Sequence, residues 1–380
     1  MFSNNIIDIR QKKLIIGLLS AILLYSVHPL FAIVAMLISF KFTRTHIRLD
    51  SCGIILIISL LLYAYDGYST DHVTATNAIW CTLPAVLSYF LGRKIGGDYS
   101  SFPLLIILYV IFLGLALPHI CVTLIDIIEN GLVNPERALS IFSDAEQQRA
   151  VTGRTMELSL AIGSFSMLFM RNGNAAQKKI SGLFVVLAIV AELCTLHYLS
   201  RTGIALFIIS IFIGIISQKE LSYKTVLFFL IIIVFYYLLS DSQLFDLFRD
   251  REQDGSSIAD AGGRTERWAI GLSMLLSNTK GYTIEDFYAH NFWLDYGRDG
   301  GLYAAILLSI FSIIILIKSI LLRKNSKINP CLSYCVMVSS VVAFAALFTE
   351  PVHVGAPIFM HMYFLFSGIV VTLSKTRSVC

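Results

Sequence analysis

Long apolar runs constrain the fold of this 380-residue sequence more than any other feature. A helix needs about 20 apolar residues to cross the roughly 30 Å hydrocarbon core of a bilayer. The composition agrees, because 56% of the residues are hydrophobic and only 14% are charged, whereas soluble domains carry about 25% charged residues. The pattern predicts an all-α, polytopic membrane bundle that forms a single domain over residues 1–380. Apolar runs lie near residues 14–40, 52–65, 75–92, 102–125, 156–171, 179–197, 200–217, 222–240, 301–321, 331–349 and 355–373.

The first run is too long for one untilted crossing and contains His28-Pro29 near its middle. Basic residues flank it on both sides, with Lys13 before it and Arg44 after it. A single crossing would place one of these basic flanks outside, so we interpret the run as a hairpin of two short helices. This interpretation gives about 12 transmembrane helices.

Basic residues also predict the orientation of the chain, because cytoplasmic loops are enriched in Lys and Arg. In the twelve-helix arrangement, 19 of the 29 Lys and Arg residues fall on the inner side. Both termini are then expected in the cytoplasm. Two long loops face outward, at 126–155 and 241–300, and the second is expected to carry short amphipathic helices and the site residues.

Several classes of function are disfavoured by the sequence. A net charge of +4 without a large basic cluster does not indicate nucleic-acid binding. The sequence has no P-loop, no Gly-x-Ser-x-Gly and no His-Glu-x-x-His motif. The outer loops lack paired acids apart from Asp250-Arg251-Glu252, which argues against a metal-dependent glycosyltransferase. No metal ion and no cofactor are expected.

The outer basic residues are almost all arginine, whereas lysine predominates on the inner side. Arginine binds phosphate or carboxylate through a planar fork, and lysine does not. The outer face therefore indicates an anionic ligand, although pairing with the many outer acidic residues is the alternative, and we favour it for Arg249 and Arg251. The ten residues are Arg137, Arg149, Arg154, Arg201, Arg249, Arg251, Arg264, Arg267, Lys280 and Arg298.

Arg201 lies where one apolar run returns almost at once into the next. The turn is expected to leave its guanidinium at the outer membrane boundary, near Glu192 and His197. An ionisable group at that depth is costly unless it is paired or functional. The alternative is that Arg201 extends to lipid headgroups.

The segment from Gly262 to Leu272 has the pattern of a helix start, which Asp260 could cap and which Asn278–Gly281 could end. Trp268, Leu272, Leu275 and Leu276 are expected on the membrane. Arg264, Arg267, Gly271 and Met274 fall on an adjoining face. An interfacial helix with two arginines beside a bare glycine could approach a lipid-linked phosphate, although a plain surface helix fits equally well.

His290 precedes Asn291, which is expected to cap a helix carrying Phe292, Trp293 and Tyr296 as an aromatic belt. Histidine is the usual general base near neutral pH, but a lone histidine is more often structural. In the short outer turn at 349–354, Glu350 and His353 could orient a base or bind a sugar, or could simply be solvated. The same alternatives hold for Asp126 and Glu129.

Three segments together resemble the O-antigen polymerase and ligase superfamily of bacterial inner membranes. Their order and their placement at the membrane carry the resemblance, which covers roughly residues 180–320. The segments are Ser200-Arg201-Thr202-Gly203 at a helix start, Gly263-Arg264 with Trp268 and Ile270-Gly271-Leu272, and His290-Asn291-x-x-Leu294 followed by Gly300-Gly301.

The resemblance implies a GT-C-like bundle in the bacterial inner membrane that transfers a glycan from undecaprenyl pyrophosphate at the periplasmic face, without a metal ion. Arg201 and Arg264 match arginines that bind the donor pyrophosphate. His290 matches a histidine thought to activate the acceptor hydroxyl. Arg267 and Arg298 have no firm counterpart and are added as candidates. The implied partners are the lipid-linked donor and acceptor and membrane lipids, with a chain-length regulator protein as a further candidate.

The sequence leaves two kinds of transferase open, and one class of transport protein as the alternative to both. A polymerase adds the growing glycan to a lipid-linked repeat unit, whereas a ligase moves it to lipid A-core. The short stretch between Gly281 and His290 favours a polymerase. A transporter or flippase of lipid-linked oligosaccharide would need polar groups at the bilayer midplane. Glu192 is the only clear acid inside a predicted span, near its outer end.

Overall fold

The computed structural model describes residues 9–25, 29–46, 49–99, 101–131, 186–187, 189–195, 197, 201–216, 264–283, 287–349 and 357–375. These residues form helices and their connections, and no strand occurs among them. The first helices are α1 (Ile9–Tyr25), α2 (Pro29–Phe40), α3 (Ser51–Ser69), α4 (Ala75–Asp98) and α5 (Ser101–Asn130). They are followed by α6 (Arg201–Ile216), α7 (Arg264–Ser277), α8 (Phe292–Gly300), α9 (Leu302–Leu322), α10 (Pro330–Thr349) and α11 (Pro357–Lys375). Residues 189–195 are also helical.

The predicted helical bundle is confirmed, with five described helices that are long and apolar enough to cross a membrane. Helix α9 shows the pattern clearly, because Ile306, Ile310 and Ile317 are exposed while Leu308 and Phe311 are buried. A helix with an apolar outer face is consistent with residence in lipid. The total of 12 spans stays a prediction, since the runs at 156–171 and 222–240 lie outside the described residues. The five segments are Ser51–Ser69, Pro103–Glu129, Leu302–Leu322, Leu332–Thr349 and Pro357–Lys375.

The first apolar run forms two short helices, as predicted. Helix α1 has 17 residues and α2 has 12, and α2 begins at the proline that the sequence places in the middle of the run. Gly17 faces Ser39 and Ala35, so the two helices pack antiparallel at close range. At about 1.5 Å per residue, α2 is shorter than the hydrocarbon core of a bilayer.

Helices α4 and α11 make the closest helix crossing among the described elements. A Cβ atom added at Gly92 would fall inside contact distance of the Leu365 carbonyl oxygen, and one added at Gly368 would meet the Tyr89 carbonyl oxygen. One turn further along α4, Gly96 faces the Cα atom of Ile369 at 3.2 Å from its own added Cβ. Glycine at these positions lets two backbones touch, which is a common means of helix association in membranes.

The helix ends gather in two groups, and this grouping agrees with the alternation predicted from charge. At the end predicted to be inside, Asp50 caps α3 and pairs with Arg93 of α4 and, at 3.2 Å, with Lys375 of α11. At the opposite end, the amide of Leu302 donates to the Thr279 carbonyl, and the amide of Tyr282 donates to the Arg298 carbonyl. Residues 278–283 and 287–301 are thereby joined to the helix ends that are predicted to lie outside.

The Asp50 ion pair predicts an acid-sensitive contribution to stability. Burial opposes the charge of Asp50, but the Gly53 amide and the Arg93 charge outweigh it and lower the pKa of the carboxyl below its usual 3.8. The unfolded chain therefore takes up this proton at a higher pH than the folded chain does. The stabilisation is complete above the usual pKa and is lost as the pH falls through and below it.

We expect Asp50→Asn to lower the free energy of unfolding at pH 7 by about 2 kcal/mol, the scale of hydrogen bonds to a charged group, because the pair with Arg93 is partly buried. The difference in stability between Asp50→Asn and the unchanged protein should be smaller at pH 3.5 than at pH 7. Thermal midpoints of both proteins in detergent at the two pH values measure this. Equal gaps at pH 7 and pH 3.5 would contradict the assignment.

Candidate active site

Asn291 begins α8 as predicted and anchors the helix to a neighbour. Its side-chain oxygen accepts hydrogen bonds from the amides of Trp293 at 3.1 Å and Leu294 at 3.2 Å. Its side-chain nitrogen donates to the carbonyl of Phe348, near the end of α10, at 3.3 Å. The prediction that Asn291 caps this helix is confirmed, and the cap also fixes α8 against α10.

His290 is half-buried and has a backbone φ of +54°, in the left-handed region. This conformation costs a non-glycine residue about 1–2 kcal/mol, so the surroundings must hold it. The carboxylate of Asp295 accepts hydrogen bonds from the amides on both sides of His290, at 2.7 Å from Ala289 and 3.0 Å from Asn291. Asp295 is fully buried. Asp295 was not among the residues predicted for the site, although an acid in the first turn after an Asn cap is a recognisable signal.

Arg264 joins the starts of two helices. It is the first residue of α7, and its Nη1 atom donates to the Thr202 hydroxyl, in the first turn of α6, at 3.3 Å. Arg201 is the first residue of that helix. The segments around Arg201 and Arg264, which are 63 positions apart in the sequence, therefore meet at helix N-termini. Unsatisfied amides make such ends favourable for anions.

Helix α7 lies along the segment that precedes His290. The Nη1 atom of Arg267 donates to the carbonyl of Tyr288 at 3.3 Å, and the rest of the Arg267 side chain is exposed. Trp268 packs near Phe348, with ring centroids 6.1 Å apart. The same phenylalanine contacts Trp293 of α8 at 4.9 Å. The first two segments of the resemblance are thus joined by the Arg264–Thr202 hydrogen bond, and the second and third both pack against Phe348.

Two expectations for α7 are wrong. Gly271 is buried and not bare, because an added Cβ atom would lie 3.1 Å from the Tyr282 hydroxyl and 3.4 Å from the Ala289 Cβ atom. Leu275 is 1% exposed and packs with Tyr282 and Ala305, inside the protein and not on the membrane. Burial raises the pKa of Tyr282 to about 12, so this hydroxyl stays protonated. Leu272 and Leu276 are exposed, as predicted.

The predicted aromatic belt of α8 is also wrong. Phe292, Trp293 and Tyr296 are 0%, 8% and 1% exposed, and they belong to the core. Tyr296 stacks on Tyr63 of α3, with ring centroids 4.4 Å apart. These rings fix α8 in the bundle instead of anchoring it at a lipid surface.

Arg298 belongs to the scaffold of the site. Its Nη1 atom donates to the Phe287 carbonyl at 2.7 Å, its Nε atom pairs with Asp299 at 2.7 Å, and its guanidinium lies 4.4 Å from the ring centre of Tyr288. Burial opposes the charge, but the Asp299 hydrogen bond and charge outweigh it and raise the pKa of Arg298. These contacts support the backbone just before His290.

The remaining candidates are less well defined. One carboxylate oxygen of Glu192 is buried with no hydrogen-bond partner among the described residues. His197 pairs with Asp126 at 2.7 Å, and α5 extends to Asn130, so the first residues of the predicted loop 126–155 are helical. Glu350 and His353 lie outside the described residues.

No protein-family model matches this chain, and no match to a curated protein was found. The resemblance to the O-antigen superfamily therefore stays a prediction from the three sequence segments.

Proposed function

We propose that this protein is an O-antigen polymerase that transfers a growing glycan from undecaprenyl pyrophosphate to a lipid-linked repeat unit at the periplasmic face of the bacterial inner membrane. The contact between Arg264 and Thr202 carries the proposal. It brings the starts of α6 and α7 together while α7 lies against the segment that ends at His290.

Each part has a chemical role in the proposed transfer. His290 accepts the proton of the acceptor hydroxyl, whose oxygen forms a bond to the anomeric carbon of the donor sugar. The bond from that carbon to the pyrophosphate oxygen breaks, and the electron pair leaves with undecaprenyl pyrophosphate. Arg201 and Arg264, with two helix N-termini, stabilise the negative charge that develops on this leaving group. Arg267 extends the same basic face.

Deleting the gene and examining lipopolysaccharide on a gel tests the proposal. A polymerase deletion leaves core that bears one repeat unit. Bare core would instead identify a ligase, which is the alternative transferase. An unchanged gel would contradict both and leave a transporter or flippase as the class to test.

Complementation with variants tests the role of Arg264. We expect Arg264→Ala to lower transfer about 10²- to 10³-fold, the usual effect of removing one group that stabilises transition-state charge. Arg264→Lys should restore little, because an ammonium lacks the planar fork. Arg323→Ala is the matched control, since Arg323 stacks on Tyr334 at the opposite end of the bundle. Full complementation by Arg264→Ala would remove this residue from the site.

A further inference from the structure

The carboxylate of Asp295 spans the backbone around His290. One oxygen accepts from the amide that precedes the histidine and the other from the amide that follows it, at 2.7 Å and 3.0 Å. A rigid, bidentate carboxylate fixes the separation and direction of these two amides. The residue between them is His290, with its φ of +54°. The direction of the His290 Cα–Cβ bond follows from that constraint.

We infer that Asp295 is a positioning residue that aims the His290 imidazole into the site. The expected effect on glycan transfer rests on the proposed function, whereas the hydrogen bonds around His290 do not depend on it. Asp295 is fully buried, so the carboxylate acts on backbone amides and not on a ligand in solvent. The Arg298 contacts to Phe287 and Tyr288 hold the same segment from its other end.

A purely structural role is the competing explanation, because an acid in the first turn also stabilises a helix. A matched control separates the two roles. Thr74 caps α4 by accepting from the Asn77 amide at 3.2 Å, in a different helix from the one that follows His290. Thr74→Ala therefore reports the loss of a helix cap without the loss of histidine positioning.

The first experiment compares Asp295→Asn with Thr74→Ala in the full-length protein. Asparagine has nearly the same shape but turns one acceptor into a donor that opposes an amide. We expect kcat to fall roughly ten- to a hundredfold, the scale of a misplaced catalytic group, while KM for the lipid-linked donor changes less than twofold. Thr74→Ala should leave kcat unchanged. Asp295→Asn in a His290→Ala background should cause no further loss, whereas an equal additional loss would overturn the inference.

The second experiment needs no transfer activity. Acylation of His290 by diethyl pyrocarbonate, followed by peptide mass spectrometry, measures how the imidazole is presented. We expect Asp295→Asn to change the His290 acylation rate several-fold relative to the exposed His46 in the same sample, and Thr74→Ala to leave the ratio unchanged. An unchanged ratio in Asp295→Asn overturns the positioning role. Retained transfer in His290→Ala would overturn the proposed function instead, so the two failures are distinguishable.

Discussion

His290→Ala is expected to lower glycan transfer by about 10²- to 10⁴-fold, the usual contribution of a general base. Without the imidazole, no group assigned to the site accepts the proton of the acceptor hydroxyl. The protein should still reach the membrane in normal amount, because Asn291 and Asp295 keep the start of α8 in place. The measurement is polymer length and yield from purified protein with a synthetic lipid-linked repeat unit.

His72→Ala is the matched control for this variant. His72 also lies at the predicted outer end, where its Nδ1 atom is 3.0 Å from the Thr70 hydroxyl, but it belongs to the loop after α3. We expect this variant to transfer glycan at the normal rate. If His290→Ala also retains normal transfer, His290 is not the base.

Gly92→Ala is expected to have the largest effect on stability. The added methyl group would overlap the backbone of α11 at Leu365, and neither backbone can yield without separating the two helices. Overpacking of a tight core costs about 1–3 kcal/mol and occasionally more. Because the added methyl group would overlap backbone atoms, we expect a cost at the upper end of this range. Size-exclusion chromatography after heating in detergent would show a loss of monodisperse protein at a temperature that the unchanged protein survives.

Gly114→Ala provides the comparison. Gly114 lies in α5, where the nearest atoms to an added Cβ atom would be side-chain methyl groups of Ile22 at 3.0 Å and Leu19 at 3.1 Å. Those methyl groups can rotate, and alanine is favoured over glycine within a helix by about 1 kcal/mol. We expect little change in thermal stability. Equal stability of the Gly92 and Gly114 variants would refute the close crossing of α4 and α11.

Local signals in the sequence predicted local structure well. The start of α2 at Pro29, the cap at Asn291 and the end of α7 near Asn278 all follow from residues within a few positions of each feature. Capping and chain reversal depend on nearby backbone groups, so the sequence carries that information directly.

Sequence patterns did not predict correctly what the apolar face of a helix contacts. Leu275 and Trp293 fit a lipid surface by their spacing, yet both are buried in protein. Hydrocarbon tails and buried side chains are similarly apolar, so periodicity alone cannot distinguish them in a membrane protein. The prediction that Gly271 is bare failed for the same reason, because a glycine leaves room for protein atoms as readily as for a ligand.

Contacts between segments that are far apart in the chain could not be predicted from the sequence either. The contact between Arg264 and Thr202 depends on how two helices approach, and no local pattern encodes it. The crossing at Gly92 had a weak signal in the sequence, since Gly92 and Gly96 form a small-xxx-small pair. The roles assigned to Arg201, Arg264 and His290 stay predictions until the variants are measured.

The close crossing of α4 and α11 has a consequence for biogenesis. The ribosome delivers α4 early, but its glycine-lined partner surface on α11 emerges only after nearly all the described chain has been made. Helix α4 must therefore stay in the membrane with this surface uncovered until α11 is made. Quality-control proteases can recognise such an incompletely packed state. A nonsense mutation just before Pro357 would then be as harmful as one much earlier, since both leave α4 without the helix that completes it.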